Sequence, residues 1–376
     1  METLKNLDVK NKRALVRVNF DVPLDEKGKI ADNFRIKESL STIEYLIKQK
    51  AKIILISHLG RPNGKRNNKL SLKPIADELE RLLRKKVGFS NNIFGKDIGH
   101  NDILLLENIR FWADEEKNSL EFAKKLAKLG DVFINEAFAV SHREHASIVG
   151  IPKFLPSAPG FLFEKEIEEL EKIIKNSKKP LIAIIGGAKI ETKIKVINKF
   201  LKIADKVLIG GALANTIFAS QGISMGGSLI DKDSFSEVKK INLKNPKLFL
   251  PVDLGVWDGK STLYRDVGPL QWFEKALDIG PKTIHLFCDM VMNAKMVVWN
   301  GPLGLTDQKP FDEASMELIE AIDKSNAYTI VGGGDTIGFI NKIGKDKIFD
   351  WMSTGGGAML DYLANDTLPG IQALKK

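Results

Sequence analysis

Short apolar runs recur along this chain, separated by segments of helical period, and that alternation leaves few folds open. The runs are Ala14–Val18, Ile53–Ile56, Ile103–Leu106, Val132–Ile134, Leu181–Ile185, Val207–Ile209, Leu248–Leu250, Thr283–Phe287, Met296–Trp299 and Tyr328–Val331. Between them lie amphipathic stretches such as Leu72–Arg84, Leu120–Lys128 and Met316–Ile322. Strands that alternate with helices build parallel sheets covered by helices on both faces, so the expected class is α/β. The 376 residues exceed the roughly 250–300 at which one core stops growing, so two domains are expected. No sequence repeat links the halves. The charged helical segment Glu164–Lys178, following Pro156 and Pro159, is the best connector.

Composition removes several function classes. With 43% apolar and 28% charged residues, the chain has the balance of an ordinary globular protein, not of a disordered or collagen-like one. No apolar run reaches the roughly eighteen residues of a membrane span, so no membrane partner is expected. The first twenty residues carry no apolar h-region, and secretion is not expected. Cys288 is the only cysteine, which excludes an intrachain disulfide and suits a reducing cytoplasm. The net charge of +9 favours anionic partners. No Lys/Arg tract interleaved with aromatics is present, so a small phosphorylated substrate fits better than nucleic acid.

Arginine and glycine divide the chain. Nine of ten arginines precede residue 161, whereas 22 of 31 glycines follow it. Guanidinium forks grip carboxylate and phosphate bidentately. Glycine lets backbone N–H groups approach a phosphate closely. In open α/β sheets ligands bind beyond the carboxyl ends of the strands. In the first half these positions read Arg17-Val-Asn19-Phe-Asp21, Ser57-His58-Leu-Gly60-Arg61, Glu107-Asn108-Ile-Arg110 and Asn135-Glu136 through His142-Arg143. Arginines converging on one sheet edge predict an anion clamp. His58, His142 and His145 follow strands, while His100 and His285 do not. His142 and His145 are three apart but lack a metalloenzyme's carboxylate motif, and read as polar contacts rather than metal ligands.

In the second half the strand ends read Gly186-Gly187-Ala-Lys189 through Lys193, Gly210-Gly211, Asn300-Gly301-Pro302, Gly332-Gly333-Gly334-Asp335-Thr336 and Ser353-Thr354-Gly355-Gly356-Gly357. A glycine-rich strand-to-helix turn offers free N–H donors and a helix dipole to phosphate. Asp335 with Thr336 suits Mg²⁺ on nucleotide phosphates. Lys189 and Lys193, four apart, are expected on one helical face, where both neutralise a transferring phosphoryl group. Neither GxxxxGK[ST] nor GxGxxG occurs, so neither a P-loop nor a dinucleotide fingerprint accounts for the glycines.

Taken together, RVNFDVP, SHLGRP, LLLENIRF, GGAK, VVWNGP, GGGDT, STGGGA and the terminal LPGIQALKK resemble the phosphoglycerate kinase family, in the family's order and over nearly the whole chain. The resemblance implies two Rossmann-like domains joined by a long helix. Residues 1–160 with a returning tail at about 361–376 would hold 3-phosphoglycerate, 161–178 would form the helix, and 179–360 would hold the nucleotide. It implies reversible transfer of the acyl phosphate of 1,3-bisphosphoglycerate to Mg-ADP, giving 3-phosphoglycerate and ATP, by a hinge-bending monomer. By matching positions it assigns Asn19, Asp21, Arg35, His58, Arg61, Arg110 and Arg143 to the acid. It assigns Gly187, Lys189, Lys193, Gly211, Asn300, Asp307, Gly332, Gly333, Gly334, Asp335 and Thr336 to the nucleotide, with Asp335 toward Mg²⁺. Arg35, Lys189, Gly333 and Gly356 are the implied catalytic set.

The sequence departs from the family at several points. Asn19 and Asp21 exchange the usual acid and amide, Thr192 replaces an Asp beside the lysines, Asp307 replaces a Glu, and Glu136 replaces an Asp. Two alternatives stay open on these grounds: a nucleotide-binding paralogue with altered catalysis, and a kinase for another small carboxylic acid.

Overall fold

The computed structural model describes residues 1–94 and 101–375; His100 lies outside them. The chain forms two compact units, Met1–Glu168 with Thr367–Lys376, and Glu169–Asp366. The helix Phe161–Lys175 begins in the first and ends in the second.

The first unit holds β1 (Arg13–Arg17), β2 (Lys52–Ile56), β3 (Gly88–Ser90), β4 (Ile103–Leu106), β5 (Val132–Asn135) and β6 (Ser157–Pro159). They form one sheet of order β3-β4-β2-β1-β5-β6, every pair parallel. Period-2 alternation divides the apolar side chains between two cores. Ala14, Val16, Ile53, Leu55, Ile103 and Leu105 join one core with Ile43, Leu46, Ile75 and Leu79 of the helices Leu40–Lys48 and Lys73–Leu83. Leu15, Ile54, Ile56, Leu104 and Phe133 join the other with Phe122 and Leu126 of the helix Leu120–Ala127. A sheet covered on both faces has no polar face, which is why these strands read as continuous apolar runs. The helix Pro369–Ala373 returns to this unit, where Gly370 N–H donates to the Ser141 carbonyl at 2.8 Å.

The second unit holds β7 (Leu181–Ile185), β8 (Lys206–Ile209), β9 (Leu248–Phe249), β10 (Asp253–Trp257), β11 (Thr262–Asp266), β12 (Lys275–Ile279), β13 (Met296–Asn300), β14 (Tyr328–Gly332) and β15 (Trp351–Ser353). Six of them form a second parallel sheet, β15-β14-β13-β7-β8-β9. In the second sheet the chain grows outward from β7 in one direction, then from β13 in the other; in the first it does the same except that β4 inserts between β2 and the edge strand β3. The order reverses between β1 and β5 in the first sheet and between β7 and β13 in the second, the position where such sheets open a ligand crevice.

Two expectations need correction. Thr283–Phe287 is not a strand. It lies inside the helix Pro281–Met292, whose buried positions Thr283, Ile284, Phe287, Met290 and Val291 follow the helical period. Asp253 fixes that helix's start, its carboxylate accepting from Lys282 N–H and Thr283 N–H at 2.9 Å each. A short apolar run with Pro two residues upstream fits strand and helix equally; a distant carboxylate decided between them. Conversely, the sequence reading passed over an antiparallel sheet, β11-β10-β12. Its strands DLGVW, TLYRD and KALDI carry charges within the run: TLYRD is largely exposed, while Asp253 and Asp278 are buried where backbone N–H groups donate to them.

Candidate active site

In the first unit, loops beyond β1, β2, β4 and β5 are stitched together by polar side chains. Ser57 Oγ accepts from Phe20 N–H at 2.9 Å, joining the loops after β1 and β2. Asn108 Nδ2 donates to the Leu59 and Leu70 carbonyls at 2.7 and 2.9 Å, tying the loop after β4 to the one after β2. Asn108 Oδ1 also accepts from Arg110 N–H at 3.1 Å, opening the short helix that carries Arg110.

These loops bring most of the predicted clamp into one place. Arg17 is fully buried and donates to Ser147 Oγ, the Val18 carbonyl and His58 Nδ1. Arg110 is buried and donates to the Gly60 carbonyl at 2.8 Å, with Glu116 3.5 Å from its Nε. Arg35 donates to the Asp21 carbonyl. Asp21 Oδ1 accepts from Gly60 N–H at 2.8 Å, and its Oδ2 lies 3.8 Å from His58 Nε2. Asn19 is buried and its Oδ1 has no partner. Arg143 is half-buried, and Arg61 is exposed.

The cluster is electrostatically costly without a ligand. Burial pushes Arg17 down to about 10, with Arg110 adding repulsion. Burial, then Arg17, Arg110, His145 and Arg35, hold His58 well below the usual histidine range. Burial and the arginines bring His145 down to about 3. A di-anion entering here relieves repulsion among cations that the fold has already desolvated. Glu115, which the sequence reading passed over, is the buried counter-charge: Arg17 and Ser147 lower its pKa against a larger rise caused by burial.

In the second unit, the loops beyond β7 and β13 hold each other. Gly186 N–H donates to the Asn300 carbonyl at 3.0 Å and Gly187 N–H to the Pro302 carbonyl at 2.7 Å. Gly301 N–H donates to Thr336 Oγ1 at 3.0 Å, bringing in the first turn of the helix after β14. Gly333, at φ +100°, turns β14 into the helix Gly334–Lys342, a conformation that disfavours any side chain. A Cβ on Gly356, at the start of the helix Gly356–Asn365, would lie 4.0 Å from Gly333 Cα, so two helix N-termini sit side by side. Asn300 Nδ2 is buried beside them without a partner.

Lys189 and Lys193 do not share a helical face as expected. The helix starts at Ile194, and residues 187–193 form a loop and turn. Lys193 is buried and donates to the Gly186 carbonyl, whereas Lys189 is exposed. Burial pushes the Lys193 amine down to about 8, Asp335 opposing the shift and Lys189 adding to it. A cavity of about 180 Å³ opens beside them, bounded by Gly187, Gly211, Ala276, Leu303 and, at its rim, Asp335. Its walls are mostly apolar, as a nucleoside site requires. Asp278 of β12 also lines it; burial, then Glu313 and Asp312, push its carboxyl up to about 8 against two backbone N–H donors. Nothing in the sequence distinguishes that acid from a surface charge. Asp307 does not line the cavity: it is exposed, 3.7 Å from Lys342.

Comparison with known proteins gives one answer. The family model described as phosphoglycerate kinase matches residues 4–366. The chain is 44% identical to the phosphoglycerate kinase of Finegoldia magna, covering 99% of this chain and 98% of that one. It is 41% identical to the phosphoglycerate kinase of Pelotomaculum thermopropionicum, with the same coverage. Among solved structures, phosphoglycerate kinase from Pyrococcus horikoshii superposes with a TM-score of 0.88 at 32% identity, covering 100% of this chain and 98% of that one. The Coxiella burnetii phosphoglycerate kinase gives 0.84 at 35%, covering 99% and 98%. On its sequence, its two parallel sheets and these matches, the chain belongs to the phosphoglycerate kinase family.

Proposed function

We propose that this chain transfers the acyl phosphate of 1,3-bisphosphoglycerate to ADP, reversibly, giving 3-phosphoglycerate and ATP. The observation that carries this reading is the division of anion-holding groups: desolvated guanidinium groups in one unit, paired helix N-termini beside an apolar cavity in the other. Transfer between a carboxylate and a nucleotide needs alignment and charge stabilisation rather than a covalent nucleophile. The acceptor carboxylate is ionised at neutral pH, so no general base is required.

In this reading Asn19 and Asp21 take the hydroxy-acid, whichever of amide and carboxylate stands first, because both present acceptors. Arg61, Arg110, Arg143 and His58 hold its phosphate, and Arg35 reaches the migrating phosphoryl group. Gly187 and Gly211 border the nucleoside. Gly332 to Gly334 and Gly356 aim backbone N–H groups at the phosphates, Thr336 and Asn300 hold that turn, and Lys189 and Lys193 neutralise the chain of phosphates. Asp307 reaches the ribose only after leaving Lys342. Asp335, exposed at the cavity rim, is the residue to hold Mg²⁺. One carboxylate plus nucleotide phosphates is a sufficient donor set for that ion. When bound, Mg²⁺ supplies charge neutralisation on the phosphate oxygens. The chain acts as a cytoplasmic monomer, a state that sedimentation checks.

A coupled ATP assay with 3-phosphoglycerate tests the assignment. Turnover upholds it. Nucleotide binding without turnover favours the altered paralogue, and turnover only with another acid favours the third reading.

A further inference from the structure

Behind the acid-binding loops runs a buried chain of hydrogen bonds whose direction the residue types fix. Ser147 lies in the short helical segment Ala146–Gly150 and Glu115 in the segment Ala113–Glu116. Ser147 N–H donates to Glu115 Oε2 at 2.9 Å, and Ser147 Oγ–H donates to Glu115 Oε1. That leaves the lone pairs of Ser147 Oγ to accept from Arg17 Nε at 2.8 Å. Arg17 Nη2 then lies 3.2 Å from His58 Nδ1. Arginine has donors only. His58 Nδ1 is therefore the acceptor, and the ring's proton resides on Nε2, which faces Asp21 Oδ2. Glu115, Ser147, Arg17 and His58 are all buried, their exposures 0, 0, 0 and 1%.

We propose that Glu115 and Ser147 are positioning residues for the kinase reaction: through Arg17 they fix His58 as a neutral Nε2–H donor aimed at the acid-binding site. Glu115 also supplies the larger counter-charge to the fully buried Arg17, Asp21 the smaller. The other charged and titratable groups facing this chain are Asp21, Arg35, Arg110 and His145, the last with its Nδ1 3.9 Å from Glu115 Oε1. His58 thus offers the acid a directional hydrogen bond, while the positive charge comes from the arginines around it. Burial and the neighbouring cations act in the same sense, keeping the ring neutral. The proposal rests on the placing of His58 in the acid site.

The test joins a spectroscopic readout to a kinetic one in the full-length chain. Imidazole ¹⁵N–¹H correlation spectra at pH 7 are expected to show His58 as the Nε2–H tautomer. Ser147→Ala leaves both charges in place but removes the acceptor for Arg17 Nε. It is expected to mix the His58 tautomers and to raise KM for 3-phosphoglycerate about tenfold, with nucleotide Kd unchanged within about twofold. A tenfold change is about 1.4 kcal/mol, the size of one lost hydrogen bond. Glu115→Gln is expected to do the same more severely, and Ser147→Ala carries the test where that variant does not fold. A protonated or Nδ1–H ring in the unaltered protein overturns the proposal, as does a Ser147→Ala spectrum unchanged at His58. A shifted tautomer with unchanged KM overturns the positioning role, leaving a hydrogen-bonded chain that does not serve the acid site.

Discussion

At the scale of single residues, burial of the Lys193 amine, which donates to the Gly186 carbonyl, sets how it meets a phosphate. Lys193 was legible as a phosphate-type cation from its glycine neighbours, but the four-residue spacing to Lys189 carried no helical geometry, because the chain turns before Ile194. Glu115 and Asp278 were illegible, since ADEE and ALDI look like ordinary solvated sequence until tertiary packing buries their carboxylates. The environment of Lys193 leads to a measurement. Its amine is pushed down to about 8 by burial, so near that pH it is partly neutral in the free protein. A polyphosphate beside it raises the pKa again. Nucleotide binding at about pH 8.5 should therefore take up protons, seen as a binding heat that depends on the buffer's ionisation enthalpy. Lys193→Met should remove that dependence, and an equal buffer dependence in both proteins would detach Lys193 from the nucleotide. Arg35 is tested differently. Its guanidinium is half-buried and donates to the Asp21 carbonyl. Arg35→Ala should lower kcat by about 10²-fold or more, the size of losing one electrostatic donor at a reacting oxyanion. Nucleotide Kd should stay nearly unchanged, and the opposite pattern would remove the assignment.

At the scale of elements, the charged period of Glu164–Lys178 begins three residues inside the helix Phe161–Lys175, whose start only the family resemblance put at 161. A cap supplied from elsewhere fixes that start. Phe161 N–H donates to Thr42 Oγ1 at 2.8 Å, and Leu162 and Phe163 N–H donate to the Glu136 carboxylate at 3.2 Å each. Gly160 makes room, since a Cβ there would lie 2.0 Å from Glu136 Oε2. Burial pushes Glu136 up to about 7, despite Thr42 and the two amides. Between about pH 4.5 and about 7 the folded chain therefore holds a proton that the unfolded chain has lost. Stability falls as pH rises across that window and levels above it, by up to roughly 3 kcal/mol from this group. Glu136→Gln, which cannot ionise, should flatten that part of the curve in urea unfolding at pH 5, 6, 7 and 8. A slope equal to that of the unaltered chain would show that Glu136 does not titrate there.

For the whole molecule, the division into an arginine-bearing and a glycine-bearing half was visible before any coordinates, because the two kinds of anion site draw on different residues. The parallel sheets were visible too, since strands buried on both faces leave unbroken apolar runs such as Ile53–Ile56 and Leu181–Ile185. The sheet β11-β10-β12 was not, because its strands mix charge with apolar residues, on an exposed strand in β11 and as buried acids in β10 and β12. The proposed reaction makes one further demand at this scale. It requires an acyl phosphate and a diphosphate to align within bonding reach, and water there would hydrolyse the acyl phosphate. On the proposed function each ligand alone satisfies one set of anion donors, and a change that depends on both ligands together is the signature of the proposed closure. Small-angle scattering should therefore give a smaller radius of gyration with 3-phosphoglycerate and Mg-ADP together than with either alone. Identical profiles in all states at saturation would mean that the units do not move with respect to each other, and that alignment comes from the ligands alone.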